Sequence, residues 1–190
     1  MVDTVQQNKV RFGLKDVTII PITADDGTKL TYGVPFAQPG ATDLTIDPEG
    51  DAFDVEADDM KFYTADNNQG YTGKLTLTNI VDAFYEQILG ETASANGGFE
   101  ENINNVTKPF ALAFKISGDA KNQRFLFKKV TASRPSIGSS TKGSRSDVST
   151  QELDTTMTAD YNGSIKTREP EDTSKTIAAW ATDILTPVAG

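Results

Sequence analysis

With 190 residues, 37% hydrophobic and 24% charged, the chain has material for one domain with a core, and neither value suggests disorder, a coiled coil or a membrane protein. It has no Cys and no His, which removes disulfides, Cys/His metal sites, Ser-His-Asp and Cys-His nucleophilic systems and histidine general bases. A formal net charge of −9 and a pI near 4.5 give a surface that as a whole repels a nucleic-acid backbone.

No apolar run approaches the roughly 18–20 residues of a membrane helix. Met1–Asn8 is polar and lacks a hydrophobic signal core, so a cytoplasmic site of synthesis and no membrane are expected.

In chain order, most segments have the period of two that marks strands. Asp16–Ile22 is a Val/Ile/Thr run before the turn Asp25-Asp26-Gly27. Ala41–Asp47 alternates, with Leu44 and Ile46 on one side, and Pro48-Glu49-Gly50 reads as a turn. Met60–Thr64 is short and aromatic, and Asp66-Asn67-Asn68-Gln69-Gly70 reads as another turn. Tyr71–Thr78 places Tyr71, Gly73, Leu75 and Leu77 opposite Thr72, Lys74, Thr76 and Thr78.

Asn79 is expected to cap a short amphipathic helix over Ile80–Leu89, with Gly90 as its stop. In the next strand Phe110, Leu112, Phe114 and Ile116 face one way, and Ala111, Ala113 and Lys115 the other. Arg124–Ala132 is its hairpin partner. Ser133–Asp147 reads as a long loop. Ser149–Asp160 is extended, with Leu153, Met157 and Ala159 on one face and Thr150, Glu152, Asp154, Thr156, Thr158 and Asp160 on the other. Thr173 is expected to cap a terminal helix over residues 174–185, with Ile177, Trp180, Ala181 and Ile184 inward. The reading is a single mainly β domain over residues 1–190: an antiparallel β-sandwich or half-barrel of about ten strands, one packed mid-chain helix and a C-terminal helix.

Charge is segregated. Asp43–Asp59 holds acidic residues at 43, 47, 49, 51, 54, 56, 58 and 59 without Lys or Arg; Ala120–Ser146 holds Lys121, Arg124, Lys128, Lys129, Arg134, Lys142 and Arg145 without Asp or Glu. One reading is two solvated surfaces. The other is a head-to-tail interface, in which Asp47, Glu49, Asp51, Asp54, Glu56, Asp58 and Asp59 of one subunit meet Lys121, Arg124, Arg134, Lys142 and Arg145 of the next. A basic loop gripping nucleic acid is the weaker third.

Chemical motifs are scarce. Gly138–Ser144 has the glycine spacing of a phosphate loop but puts Ser144 where the Lys belongs. The acidic run lacks the spacing of a calcium loop, and Asp66–Gly70 is ordinary turn chemistry. Asn105-Val106-Thr107 and Asn162-Gly163-Ser164 fit the glycosylation pattern by chance. No carboxylate pair stands out for glycoside hydrolysis. Phe53, Phe62, Tyr63 and Trp180 suit a core or subunit contact better than a sugar platform.

Five stretches carry a resemblance: Asp47-Pro48-Glu49-Gly50; Tyr63 through Gly73; Ile88-Leu89-Gly90-Glu91; Lys108-Pro109-Phe110-Ala111-Leu112; and Thr131 through Ser136. In this order and spacing the chain resembles the major tail proteins of long-tailed, non-contractile phages of Gram-positive bacteria, from about residue 10 to the Trp180 helix. The resemblance implies a tail-tube β-sandwich subunit with a flanking helix, no cofactor and no catalytic residue. Six subunits would form a ring around a continuous β-barrel. Rings would stack on a tape-measure protein, between initiator and terminator proteins, and pass DNA as cargo in the virion.

On that footing, Thr150, Glu152, Asp154, Thr156, Thr158 and Asp160 are candidates to line the lumen, the alternative being a face that meets external solvent. The arm at residues 1–9 and the loop at 133–147 are candidates for contact with neighbouring subunits. The competing readings are a tube protein of a related injection machine, a soluble β-sandwich binding module for carbohydrate or protein, and, more distantly, an acidic glycosidase.

Overall fold

The computed structural model describes residues 13–50, 52–57, 60–117, 122–136 and 149–186, with the backbone alone given for the strands between 52 and 66. Among these residues the protein is mainly β, with thirteen strands and two helices, and every strand pair is antiparallel. The strands are β1 (Leu14–Asp25), β2 (Leu30–Tyr32), β3 (Phe36–Ala37), β4 (Ala41–Glu49), β5 (Ala52–Ala57), β6 (Met60–Asp66), β7 (Gly70–Leu77), β8 (Thr92–Ala93), β9 (Phe99–Glu100), β10 (Phe110–Ile116), β11 (Gln123–Ala132), β12 (Gln151–Thr158) and β13 (Lys166–Pro170). The main sheet runs β2-β1-β10-β11-β12-β7-β4, with β3 paired to β1 and β13 to β11.

The middle of this sheet is covered on both faces. Val17–Ile22 of β1 is buried without a break, as a strand sandwiched between layers must be. In β10 the alternation is by size. Phe110, Leu112 and Phe114 point into the larger core, while Ala111 and Ala113 face the opposite layer. In that layer α2 (Ile177–Leu185) lays Ile177, Trp180 and Ala181 on the two alanines, Ile20 and Leu126. Its cap is Thr176, whose hydroxyl accepts from Ala179 N at 3.3 Å, three residues beyond the predicted Thr173. The chain before it is occupied otherwise, with Asp172 accepting from Ser174 N at 2.9 Å.

The larger core gathers the inward faces of β1, β7, β10, β11 and β12, so the sheet curls into a half-barrel. The mid-chain helix lies at the end where β10 begins. Phe84 meets Phe110 edge-on at 5.9 Å, and Ile80, Ile88 and Leu89 are buried beside it. This helix is shorter than predicted: α1 spans Asp82–Phe84 and continues as a π-turn segment over Tyr85–Leu89. Val81, not Asn79, is at its N-cap, and no side chain caps it. Packing of Ile80, Phe84 and Ile88 rather than capping therefore fixes it. Gly90 ends it in the left-handed conformation at φ 75°, as predicted.

Two predicted turns do not reverse the chain. β4 pairs with β7 down to Glu49 opposite Gly70, and β5 pairs with β6 from Ala52 opposite Asp66 to Ala57 opposite Met60. The two ladders follow one another along the same two chain segments, and the β5–β6 ladder, a two-stranded sheet of its own, ends at Ala57 opposite Met60. Pro48-Glu49-Gly50 and Asp66–Gly70 mark the irregularity where the ladders join, bridged by Gln69 N donating to Glu49 O at 2.9 Å. Proline, glycine and asparagine are as characteristic of such breaks in pairing as of turns.

The hairpin of β10 and β11 and the alternation of β12 follow the sequence reading. Ala159 is the exception: β12 ends at Thr158, and Ala159 is exposed. Leu153 is fully buried in the larger core, whereas Thr156 points out. Leu153→Ala should cost about 2–5 kcal/mol and Thr156→Ala no more than about 0.5 kcal/mol. Urea titration followed by the fluorescence of Trp180, the one tryptophan of the chain, measures both.

Candidate functional site

The outer face of the β12–β7–β4 wing has no layer packed on it among the described residues. Cross-strand partners share a face, so the register fixes its pattern. One row holds Asp43, Thr76 and Glu152; the next holds Thr45, Lys74 and Asp154; the third holds Asp47, Thr72, Thr156 and, on β11, Thr131. Four carboxylates and a lawn of threonine hydroxyls surround one ammonium. Lys74 donates to Glu152 at 2.8 Å, and Asp154 lies 4.0 Å away. That hydrogen bond and the two carboxylates hold its pKa above the usual lysine range. The pair is half exposed and screened by salt, so the face remains net negative.

Of the six residues predicted for a lumen, Glu152, Asp154, Thr156 and Thr158 stand exposed on β12, and Thr150 is exposed just before it. Asp160 does not belong with them. Its carboxylate is nearly buried and binds Lys128 at 2.9 Å, Ser164 N at 2.8 Å and Asn162 N at 2.9 Å, closing the turn into β13. Burial raises its pKa, but Lys128 and the two amides outweigh burial, and the net shift is downward.

Asp43 and Asp47 of the acidic stretch lie on this face. Asp47 and Glu49 are exposed on β4 and lead into the β5–β6 ribbon, where Asp54 pairs in register with Thr64 and Glu56 with Lys61. Asp51, Asp58 and Asp59 lie outside the described residues. The sequence alone did not relate these carboxylates to those of β12. The pairing of β7 with both β4 and β12 brings Asp43 and Asp47 alongside Glu152 and Asp154. The alternation of Thr72, Lys74 and Thr76 was the available signal. It lacked only the knowledge that β7 sits between the other two strands.

The basic stretch does not form a matching patch among the described residues. Arg124 is buried at 3% exposure, its guanidinium 4.7 Å from the Trp180 ring centre and 3.9 Å from Glu169. It shares the parity of Leu126 and so faces α2, which disqualifies it as a docking residue. Trp180 Nε1 donates to the same Glu169 carboxylate at 2.7 Å. Lys129 pairs with Asp25 at 3.0 Å, and Arg134 pairs with Glu101 and donates to Asn105 O at 2.9 Å. Lys121, Lys142 and Arg145 lie outside the described residues, as does most of the predicted loop.

Two more features bear on assembly. Among the described residues β4 hydrogen-bonds to β7 alone, which leaves its other edge, nine residues long, without a partner strand. An open cleft of about 470 Å³ lies between β1, β10 and β11 on one side and β4 and β7 on the other, walled by Leu14, Leu44, Ile46, Tyr71, Ile116 and Phe125. Among the described residues no cluster of three or more metal-ligating side chains occurs. No family model matches the chain, and no curated protein matches it.

Because the Asp160 pKa is depressed, its stabilising effect is present above the ordinary carboxylate range and is lost as pH falls through the lowered value. Asp160→Asn should therefore destabilise by about 1–2 kcal/mol at neutral pH, and the gap to wild type should close below about pH 4. Urea midpoints across that range measure it. A gap independent of pH would mean that the carboxylate acts only by shape.

Proposed function

We propose that this chain is the structural subunit of a hollow tube of the phage tail type, self-assembling into stacked rings and doing no chemistry. The single observation that carries the reading is the wing β12–β7–β4. It has one covered face, one face of carboxylates and hydroxyls, and a nine-residue edge with no partner strand among the described residues. An open edge strand is an invitation to pair with another chain, and a barrel closed from several subunits removes such edges altogether. In a ring, the polar faces of neighbouring copies would together form the wall. Its carboxylates would repel phosphates and its hydroxyls would hold water, so DNA would slide past without binding.

By the resemblance noted above, the ring holds six subunits, a tape-measure protein occupies the lumen before DNA does, initiator and terminator proteins bound the tube, and the virion is its place. A soluble binding module is the second reading, favoured by the cleft, whose walls mix apolar side chains with Thr42, Asp43 and Lys166. The two part company on self-association.

Negative-stain electron microscopy of the purified protein over a concentration series is the direct test. Rings or hollow tubes are expected. Monomers at every concentration, together with a ligand in the cleft, would transfer the assignment to the binding module. For the wall, the double change of Glu152 and Asp154 to Lys should leave tubes intact and slow DNA delivery by virions carrying it. Delivery at the normal rate would remove these residues from any repulsive wall.

A further inference from the structure

The loop between β9 and β10 presents two aliphatic side chains to solvent: Ile103 is 95% exposed and Val106 77%. They do not sit on a slack segment. Asn105 N donates to Asn102 O at 2.9 Å, and the Asn102 side chain accepts from Asn104 N at 2.9 Å, so Ile103 occupies the apex of a closed turn. Asn105 O is held by Arg134, and Lys108 N donates to Ile88 O at 2.8 Å. An apolar knob on a braced loop is pre-organised to insert, since little ordering remains to be done on docking.

The receptor for such a knob lies at the other end of the same strand. The loop leads into β10 at Phe110, whereas the cleft opens beside Ile116, with Gly13 and Leu14 next to it. No residue of the loop lines the cleft, which reaches back along β10 only as far as Phe114, so knob and cleft do not meet within one copy; a second copy can bring its knob to the cleft of the first. The charges around them also match. Lys166 and Asp43 line the cleft; Glu100 and Lys108 flank the knob and make no ion pair among the described residues.

We propose that Ile103 and Val106 of one copy seat in the cleft walled by Leu44, Ile46, Tyr71 and Phe125 of a second copy, a head-to-tail contact with Glu100 beside Lys166 and Lys108 beside Asp43. The contact is heterologous, so it propagates rather than closing a two-fold dimer. It rests on the reading that this chain self-assembles, and it assigns that assembly a direction and a specific pair of surfaces.

The absence of native cysteine makes the test clean. Ile103→Cys and Thr42→Cys each alter an exposed position, the second on the cleft lining, and are purified separately, reduced, mixed and exposed to diamide. Docked thiols meet at an effective concentration on the order of mM, so the mixture should yield on the order of tenfold more disulfide-linked dimer than either variant alone. Changing Ile103 and Val106 together to Asp should raise the concentration needed for assembly by tenfold or so, with the urea midpoint unchanged because both residues are exposed. Particles that assemble normally without the mixed cross-link would overturn this contact and leave the tube reading standing. Dimer forming chiefly in Ile103→Cys alone would mean that knobs meet knobs, and would overturn it too. Monomers at all concentrations with no cross-link would overturn both.

Discussion

The two faces of β10 set where everything else lies. Phe110, Leu112 and Phe114 are large and fill the concave side; Ala111 and Ala113 are small and leave room on the convex side for a helix to approach. Reversing that order would leave a void in the larger core and push α2 off the sheet, since interiors tolerate neither gaps nor crowding. The same difference in size supports aromatic order. Phe114 stacks on Phe125 at 5.3 Å and on Phe127 at 6.3 Å across the β10–β11 hairpin. On the far side, Arg124 is able to be buried because Trp180 covers its guanidinium and Glu169 and Asp172 accept from it or lie near it. A buried cation without those partners would be strongly destabilising.

From this centre β11 divides the molecule. Its first half, Gln123–Phe127, pairs with β13, and its second half, Lys129–Ala132, pairs with β12. The strand that pairs with β13 also lies under α2, so both of its faces are covered. β12 and the strands beyond it, β7 and β4, lose that cover. Their inward faces still close the larger core, through Leu153, Met157, Leu75 and Leu77, while their outward faces carry only threonine, lysine and carboxylates. The polar wing is thus what results when a sheet runs past the reach of its second layer. Its outer surface is released from packing and free to serve another purpose.

What the sequence made legible follows the same division. β10, β11 and β12 were readable because each has one apolar and one contrasting face, and burial imposes a period of two on such strands. The β13 strand, Lys166-Thr167-Arg168-Glu169-Pro170, went unread because its side chains carry no apolar alternation; its place is fixed by backbone pairing to β11. Arg124 looked like surface because it is charged, although its parity with Leu126 already placed it under the helix. The joints at Pro48–Gly50 and Asp66–Gly70 looked like reversals because residues that break a ladder and residues that turn a chain are the same residues. The candidate wall was half legible: β12 showed its own polar face, but the merging of Asp43 and Asp47 with it depends on the order of strands, which no local pattern encodes.

A tube requires association along two independent directions, one around the ring and one along the axis. The edge of β4 that has no partner strand among the described residues offers hydrogen-bonding groups across the strands, in the direction in which sheets grow. The knob at Ile103 and the cleft beside Ile116 lie at opposite ends of β10, along the strand direction. In the tube reading these two vectors have distinct physical characters. Backbone pairing at the edge is directional and tolerant of side-chain chemistry, whereas an apolar knob entering a cleft of mixed lining depends on shape and side-chain match. Salt would then weaken the negative field that sets neighbouring walls apart while leaving the apolar contact intact or strengthening it. The balance between the two, rather than either alone, would decide whether rings remain separate or stack.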